Sequence, residues 1–441
     1  MEEAQTSQPV SPNLQRIAKM AKDFPELCFR TLAHHITPEL LRHAAHVTRK
    51  DGAPGIDGQT GDSYLANLGV NVQALWQRLR EGRYRAPAVR RVHIPKGDGK
   101  TRPLGIPTFE DKVAQRAAVM VLESIYEQDF LPCSFGFRPG RSAHDALHEL
   151  REGMMRMGGG WVLDADIRDF FGSLDHAKLR EILGLRVGDH SMMRLIGKWL
   201  NAGVLEEGRW TRSEHGTPQG GVISPLLANV YLHEVLDRWF EREVRPRLRG
   251  QAFLIRYADD FVMVFSERED ADRVLAVLGK RLAKYGLQLH PEKTRLLDFR
   301  RPRDGVKAGS FVFLGFTHHW ALSRKGYPIV KLRTATKRLS RALRSINEWC
   351  RLNRHQPLAV QQAKLAQKLR GHCAYYGLTG NSAALSRFRF WLTRLWRKWL
   401  CRRSRAARKP WDWFQRVLQN YPLPPAKAIH SKLLRPANPS V

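Results

Sequence analysis

The chain has 441 residues, 43% of them apolar, which is enough for two or three domains with a sizeable core. Its 74 Lys and Arg stand against 42 Asp and Glu, a net charge of +32, so it is built to meet a polyanion, with nucleic acid the first candidate and an anionic membrane surface the second. The absence of any apolar run of transmembrane length, and of signal-peptide features in "MEEAQTSQPVSPNLQ", argues against the membrane. Cys28, Cys133, Cys350, Cys373 and Cys401 form no CxxC pair, which argues against a disulfide framework and a zinc finger and fits a reducing cytoplasm.

In chain order, residues 1–85 read as a mostly helical N-terminal extension, interrupted by the turn-rich "RKDGAPGIDGQTGD" at 49–62. Residues 86–107 read as a hairpin, two extended runs flanking Gly-Asp-Gly with prolines that prevent a helix. Residues 108–130 read as an amphipathic helix with Val113, Ala117, Met120 and Ile125 near one face. "WVLDADI" (161–167) is a short apolar strand in which Asp164 is expected on the face opposite Asp166, and Asp175 is the expected N-cap of a helix over 175–183. "AFLIRY" and "FVMVFS" are two further strands, leaving Asp259 and Asp260 at a hairpin tip, followed by an amphipathic helix over 269–286.

The charge is unevenly placed. From Gly305 to Val441 there are 28 Lys and Arg and only two acids, Glu348 and Asp412, so a near-neutral body precedes a strongly cationic part and the break near residue 305 reads as a domain boundary. In the cationic part, Leu339, Leu343, Ile346 and Cys350 form one apolar stripe, and Phe388, Leu392, Leu395 and Trp399 form another. Arg338, Arg341, Arg402, Arg403 and Arg405 lie off those stripes and remain for phosphates.

Adjacent aspartates on a tight turn repel unless a cation offsets them. Carboxylates at a strand end (Asp166) and on a hairpin turn (Asp259, Asp260) converge if the two elements are neighbours in one antiparallel sheet, and hard oxygen ligands of this kind suit Mg²⁺. Two such ions would stabilise the attacking 3′-oxygen and the leaving pyrophosphate of a nucleotidyl transfer. For the dipeptide alone, a solvated turn is the commoner explanation.

The wider pattern decides between them. "DADIRDFF" (164–171), "GTPQGGVISPLLANVYL" (216–232) and "YADD" (257–260) together resemble the palm of reverse transcriptases, most closely those encoded by bacterial group II introns. The resemblance extends through "KDGAPGIDG", "VRRVHIPKGDGKTRPLGIP", "SFGFRPGRSAHDAL", "GLQLHPEKT" and "FVFLGF" into "KLRGHCAYYG", which looks like that family's maturase or thumb domain.

It implies an α+β right-hand polymerase, with fingers and palm over 86–316, a helical thumb or maturase domain over 317–405 and a basic nucleic-acid-binding tail over 406–441. It also implies that Asp166, Asp259, Asp260 and the Ile167 carbonyl hold Mg²⁺, that Lys96 and Arg102 meet the triphosphate of a dNTP, and that Gln219 bonds its sugar or phosphate. Phe171, with Phe170 as the fallback, would exclude a ribose 2′-OH, and Lys293 would approach the pyrophosphate. Gly172 stands where relatives usually carry Asp, and no endonuclease-like module follows the thumb, as in the endonuclease-less intron proteins.

The implied activity is RNA-directed DNA synthesis on an RNA template from a DNA primer, together with assistance to an intron RNA in splicing and mobility. A polymerase domesticated for DNA repair or phage defence uses the same residues. A splicing-only RNA-binding maturase is opposed by the three intact aspartates, and an RNA-dependent RNA polymerase by "YADD" and Phe171.

Overall fold

The computed structural model describes residues 11–95, 101–206, 209–211, 220–302, 309–403 and 409–430, and the chain divides into two compact units at Asp298/Phe299. The first unit opens with four helices, α1 (Pro12–Asp23), α2 (Pro38–Val47), α3 (Gly61–Ala66) and α4 (Leu68–Arg80). Proline opens α1 and α2, where its missing N–H costs nothing, and the Thr37 hydroxyl caps α2 by accepting from Leu40 N. These helices share one core with the rest of the unit. The buried Arg186 guanidinium fastens them there, donating to the carbonyls of Ala21 (3.1 Å), Phe24 (3.0 Å) and Leu27 (2.8 Å) and pairing with Asp129 at 2.9 Å.

The expected hairpin is formed by β1 (Val89–Pro95) and β2 (Thr101–Ile106), in register from Arg90↔Ile106 to Pro95↔Thr101. The following helix, α5 (Phe109–Asp129), is not amphipathic as its sequence suggests. Ala117, Ala118 and Val119 are all buried, as are Val121 and Leu122, so the helix is covered on most of its circumference. The N-terminal helices pack on it and remove the solvent side that a one-face pattern assumes.

After α6 (Ala143–Met157) come β3 (Trp161–Asp166), α7 (Phe170–Ser173), α8 (His176–Gly184) and α9 (His190–Leu200). Asp175 caps α8 as expected, its carboxylate accepting from Ala177 N and Lys178 N. Two short strands, β4 (Val204–Glu206) and β5 (Arg209–Thr211), complete a sheet of order β2-β1-β4-β5. Helix α10 (Ser224–Leu232) then widens into π-helical turns over His233–Arg238 and Phe240–Val244. The unit closes with β6 (Ala252–Tyr257), β7 (Asp260–Phe265), α11 (Arg268–Lys284) and β8 (Arg295–Asp298).

The second sheet has order β6-β7-β3-β8 and is antiparallel throughout. Phe261 to Phe265 are all buried, so β7 is covered on both faces and its apolar run is continuous instead of alternating.

The second unit begins with a three-stranded sheet of order β11-β10-β9, from β9 (Ser310–Phe313), β10 (Phe316–Leu322) and β11 (Pro328–Thr334). Four helices follow, α12 (Thr336–Leu352), α13 (Leu358–Tyr376), α14 (Ser382–Leu400) and α15 (Trp411–Asn420). On α14 the buried stripe is Leu385, Phe388, Leu392, Trp396 and Leu400, while Leu395 and Trp399 only flank it. No helix among the described residues is long and apolar enough to cross a membrane.

Candidate active site

The two-residue turn Ala258-Asp259 joins β6 to β7, and β7 lies beside β3 with Asp260 directly opposite Asp166. Directly opposed residues have Cβ atoms about 5 Å apart. Asp259 on the adjoining turn adds a third carboxylate to the same end of the sheet. Asp164 belongs with them, contrary to the expectation that it faces away. Residues two apart on a strand share a face, and the charge of Asp166 acts on Asp164. Asp164 is paired with its register partner Arg295 on β8 at 3.4 Å.

Burial among protein atoms, and then the like charges of Asp259, Asp166 and Asp164, push the Asp260 carboxyl up to about 6, with Lys293 opposing. Its surface is still open to water, so screening tempers that push. The Lys293 ammonium touches an Asp166 carboxylate oxygen, so this lysine stands at the acidic cluster instead of on a remote surface. Asp166 is held from behind as well. His290 N donates to its carbonyl at 2.7 Å, and the buried Ile167 bridges to Leu289.

Among the described residues no three His, Cys, Asp or Glu side chains close a preformed metal cage. The donor set, all carboxylate oxygen and carrying excess negative charge, fits a hard divalent cation.

The aromatic pair separates cleanly. Phe170 is buried and packs edge-on to Tyr231 at 6.5 Å, whereas Phe171 is only half-buried, edge-on to Phe170 at 5.3 Å. A Cβ at Gly172 would lie 2.2 Å from a carboxylate oxygen of Asp169, which folds back over the backbone there. Arg102 sits on β2 opposite Ile94. Its side chain, and Lys96, Gln219 and Arg405 altogether, lie outside the described residues. The described end of the glycine-rich segment does reach this hairpin: at Gly220, with φ +120°, a Cβ would come within 2.4 Å of the Gly105 carbonyl.

A further network supports the turn. Arg256 on β6 is fully buried and all its donors are used. It holds Asp237 at 2.8 and 2.6 Å, Asn229 at 2.9 Å, Ser134 at 2.8 Å and the Ala258 carbonyl at 3.0 Å. Ala258 adopts a left-handed φ of 57°, unusual for a residue other than glycine. One signal for this network was present in the sequence: an arginine inside the apolar run "AFLIRY" must be paired if the strand is buried.

In the second unit Arg338, Arg341 and Arg402 are exposed, and Arg402 lies over the Trp399 ring at 5.2 Å. Arg403 is already engaged, donating to the carbonyls of Arg354 (2.6 Å) and Gln356 (2.9 Å).

Residues 94–318 match the family described as reverse transcriptase (RNA-dependent DNA polymerase), and residues 339–418 match the group II intron maturase-specific domain. The chain is 37% identical to the protein YkfC of Escherichia coli K12, over 58% of this chain and 75% of that one. It is 38% identical to the group II intron-encoded protein LtrA of Lactococcus lactis subsp. cremoris, over 54% of this chain and 41% of LtrA. The putative COX1/OXI3 intron 2 protein of Saccharomyces cerevisiae is 25% identical over 74% of this chain and 42% of its own length. With an acidic cluster assembled from two paired strands inside the first match and a helical unit under the second, the chain belongs to the reverse transcriptase family, in the right-hand polymerase fold, and carries a group II intron maturase domain.

Proposed function

We propose that this protein extends a DNA primer on an RNA template with dNTPs, and that it also assists a group II intron RNA in splicing and mobility. The observation that carries the polymerase reading is the facing pair Asp166 and Asp260, with Asp259 on the adjoining turn.

Asp166, Asp259, Asp260 and the Ile167 carbonyl would hold Mg²⁺, which when bound supplies charge stabilisation at the attacking and leaving oxygens. The chain's own groups do the positioning. The β3–β7 pairing fixes Asp166 against Asp260, and Arg256 fixes the turn by donating to the Ala258 carbonyl. Lys293 would supply a proton or a positive charge near the departing pyrophosphate, a role that its contact with Asp166 supports. Lys96, Arg102 and Gln219 would hold the incoming nucleotide, and Phe171 would present its half-exposed ring where a 2′-OH has no room. RNA binding is assigned to Arg338, Arg341, Arg402 and Arg405, while Arg403, also expected on RNA, is given over to the Arg354 and Gln356 carbonyls. The maturase role rests on the match over 339–418.

Asp259→Asn tests the reading. Primer extension on an RNA template should fall by about 10³-fold, the scale of losing several kcal/mol of charge stabilisation, with RNA affinity unchanged. Extension near the wild-type rate would overturn it.

A further inference from the structure

Phe137 has a left-handed φ of 55° and is 55% exposed. For a bulky residue that backbone conformation is a genuine outlier, and outliers persist only where the surroundings impose them.

The surroundings here are rigid on both sides. Before Phe137 the chain runs along β6: Arg256 N donates to Cys133 O at 2.8 Å, and Phe135 N donates to Arg256 O at 2.9 Å. Asn229 donates to the Gly136 carbonyl at 2.7 Å. Gly136 lies so close to the acidic turn that a Cβ would come within 2.4 Å of Ala258 N. After Phe137, the buried Arg138 donates to the carbonyls of Leu131 and Ser134 and pairs with Glu127 at 3.0 Å.

We infer that Phe137 is a contact residue for the primer strand, its ring packing against the sugar and base of the terminal nucleotides. This rests on the polymerase reading above. If the three aspartates act on the primer's 3′-oxygen, the end of that strand must lie along the acidic turn. Phe137 is one residue, 3.8 Å of chain, from the glycine that touches the turn. A phosphate there would call for a cation; an aromatic ring suits the apolar faces of base and sugar, and such contacts tolerate any sequence.

Phe137→Gly is the decisive variant, because glycine takes a positive φ freely and the strain is removed together with the ring. Its melting temperature should equal or exceed that of the wild type. Its affinity for a primer–template duplex should fall about 10- to 100-fold, with unchanged affinity for the RNA template alone and an unchanged apparent KM for dNTP at saturating duplex. Phe137→Trp should recover most of the duplex affinity.

Three results would overturn the assignment. Duplex affinity could stay at the wild-type level, the melting temperature could fall, or the template alone could lose as much affinity as the duplex. Asp259→Asn run alongside keeps the two readings apart. A dead Asp259→Asn with a fully active Phe137→Gly removes only the primer contact, whereas an active Asp259→Asn removes the polymerase reading beneath it.

Discussion

Arg256 and Asp237 form a fully buried, two-pronged ion pair directly behind the acidic turn, at 2.8 and 2.6 Å. The same guanidinium donates to the Ala258 carbonyl, so one side chain serves both the core and the geometry of the site. The two roles are separable by mutation. Arg256→Met should destabilise the protein by about 3–5 kcal/mol, because it leaves Asp237 buried and unpaired. Adding Asp237→Leu should restore much of that stability, as measured by urea unfolding. Primer extension should stay depressed by up to about 10²-fold in the double variant, since the turn has lost its donor and small misplacements of reacting groups are costly. Recovery of both stability and activity would show that the turn holds its shape unaided.

The contrast between Phe170 and Phe171 gives opposite expectations for adjacent residues. Phe170→Ala removes a buried ring and should cost about 3–5 kcal/mol. Phe171→Ala, which removes a half-buried ring, should cost less stability than that and raise ribonucleotide incorporation relative to deoxynucleotide. Single-nucleotide incorporation with matched rNTP and dNTP reads this directly. Relaxed selectivity in Phe170→Ala alone would reassign the gate to the buried ring.

Acid should weaken the first unit through His233. Burial, the dominant cause, lowers its folded pKa to about 4 from 6.5, with Asp237 opposing and Arg256, Arg238 and Arg138 reinforcing. The unfolded chain therefore takes up the proton first, and stability falls as the pH drops through 6.5 towards 4. Between pH 7 and 5 the loss is about 2 kcal/mol, and His233→Gln should remove that share of the pH dependence. His372 in the second unit is lowered in the same way, so the comparison is the difference in slope between variant and wild type.

Salt titration separates the arginines of the second unit. If exposed Arg338, Arg341 and Arg402 meet RNA phosphates, changing all three to Gln should flatten the log–log salt dependence of RNA binding by about two to three units, with the melting temperature unchanged. Arg403→Gln should instead cost about 1 kcal/mol of stability, because its donors serve the Arg354 and Gln356 carbonyls. An unchanged slope in the triple variant would move RNA binding away from these three.

The acidic cluster was legible because its carboxylates interrupt apolar β-type runs, and strand pairing brings such interruptions together. The place of Asp164 was equally legible from the two-residue period, and the error there lay in applying it. The burial of α5 was not, since what covers a helix belongs to distant parts of the chain. Arg256 announced a partner but not which one. Phe137 gave no signal at all: in sequence it is one phenylalanine among 19, and only its backbone angle and the approach of Gly136 to Ala258 distinguish it.

The π-helical turns after α10 bear on how this chain tolerates changes in length. Each such turn holds an extra residue, and within this winding His233 and Asp237 both face inward, 4.0 Å apart. A one-residue deletion between 233 and 244 that the wide turns do not absorb would turn the following side chains by about 100° about the helix axis. A deletion ahead of Asp237 would carry its carboxylate off Arg256. An insertion or deletion here is thus a lesion of the acidic turn, though it lies in a helix that never reaches that turn's carboxylates.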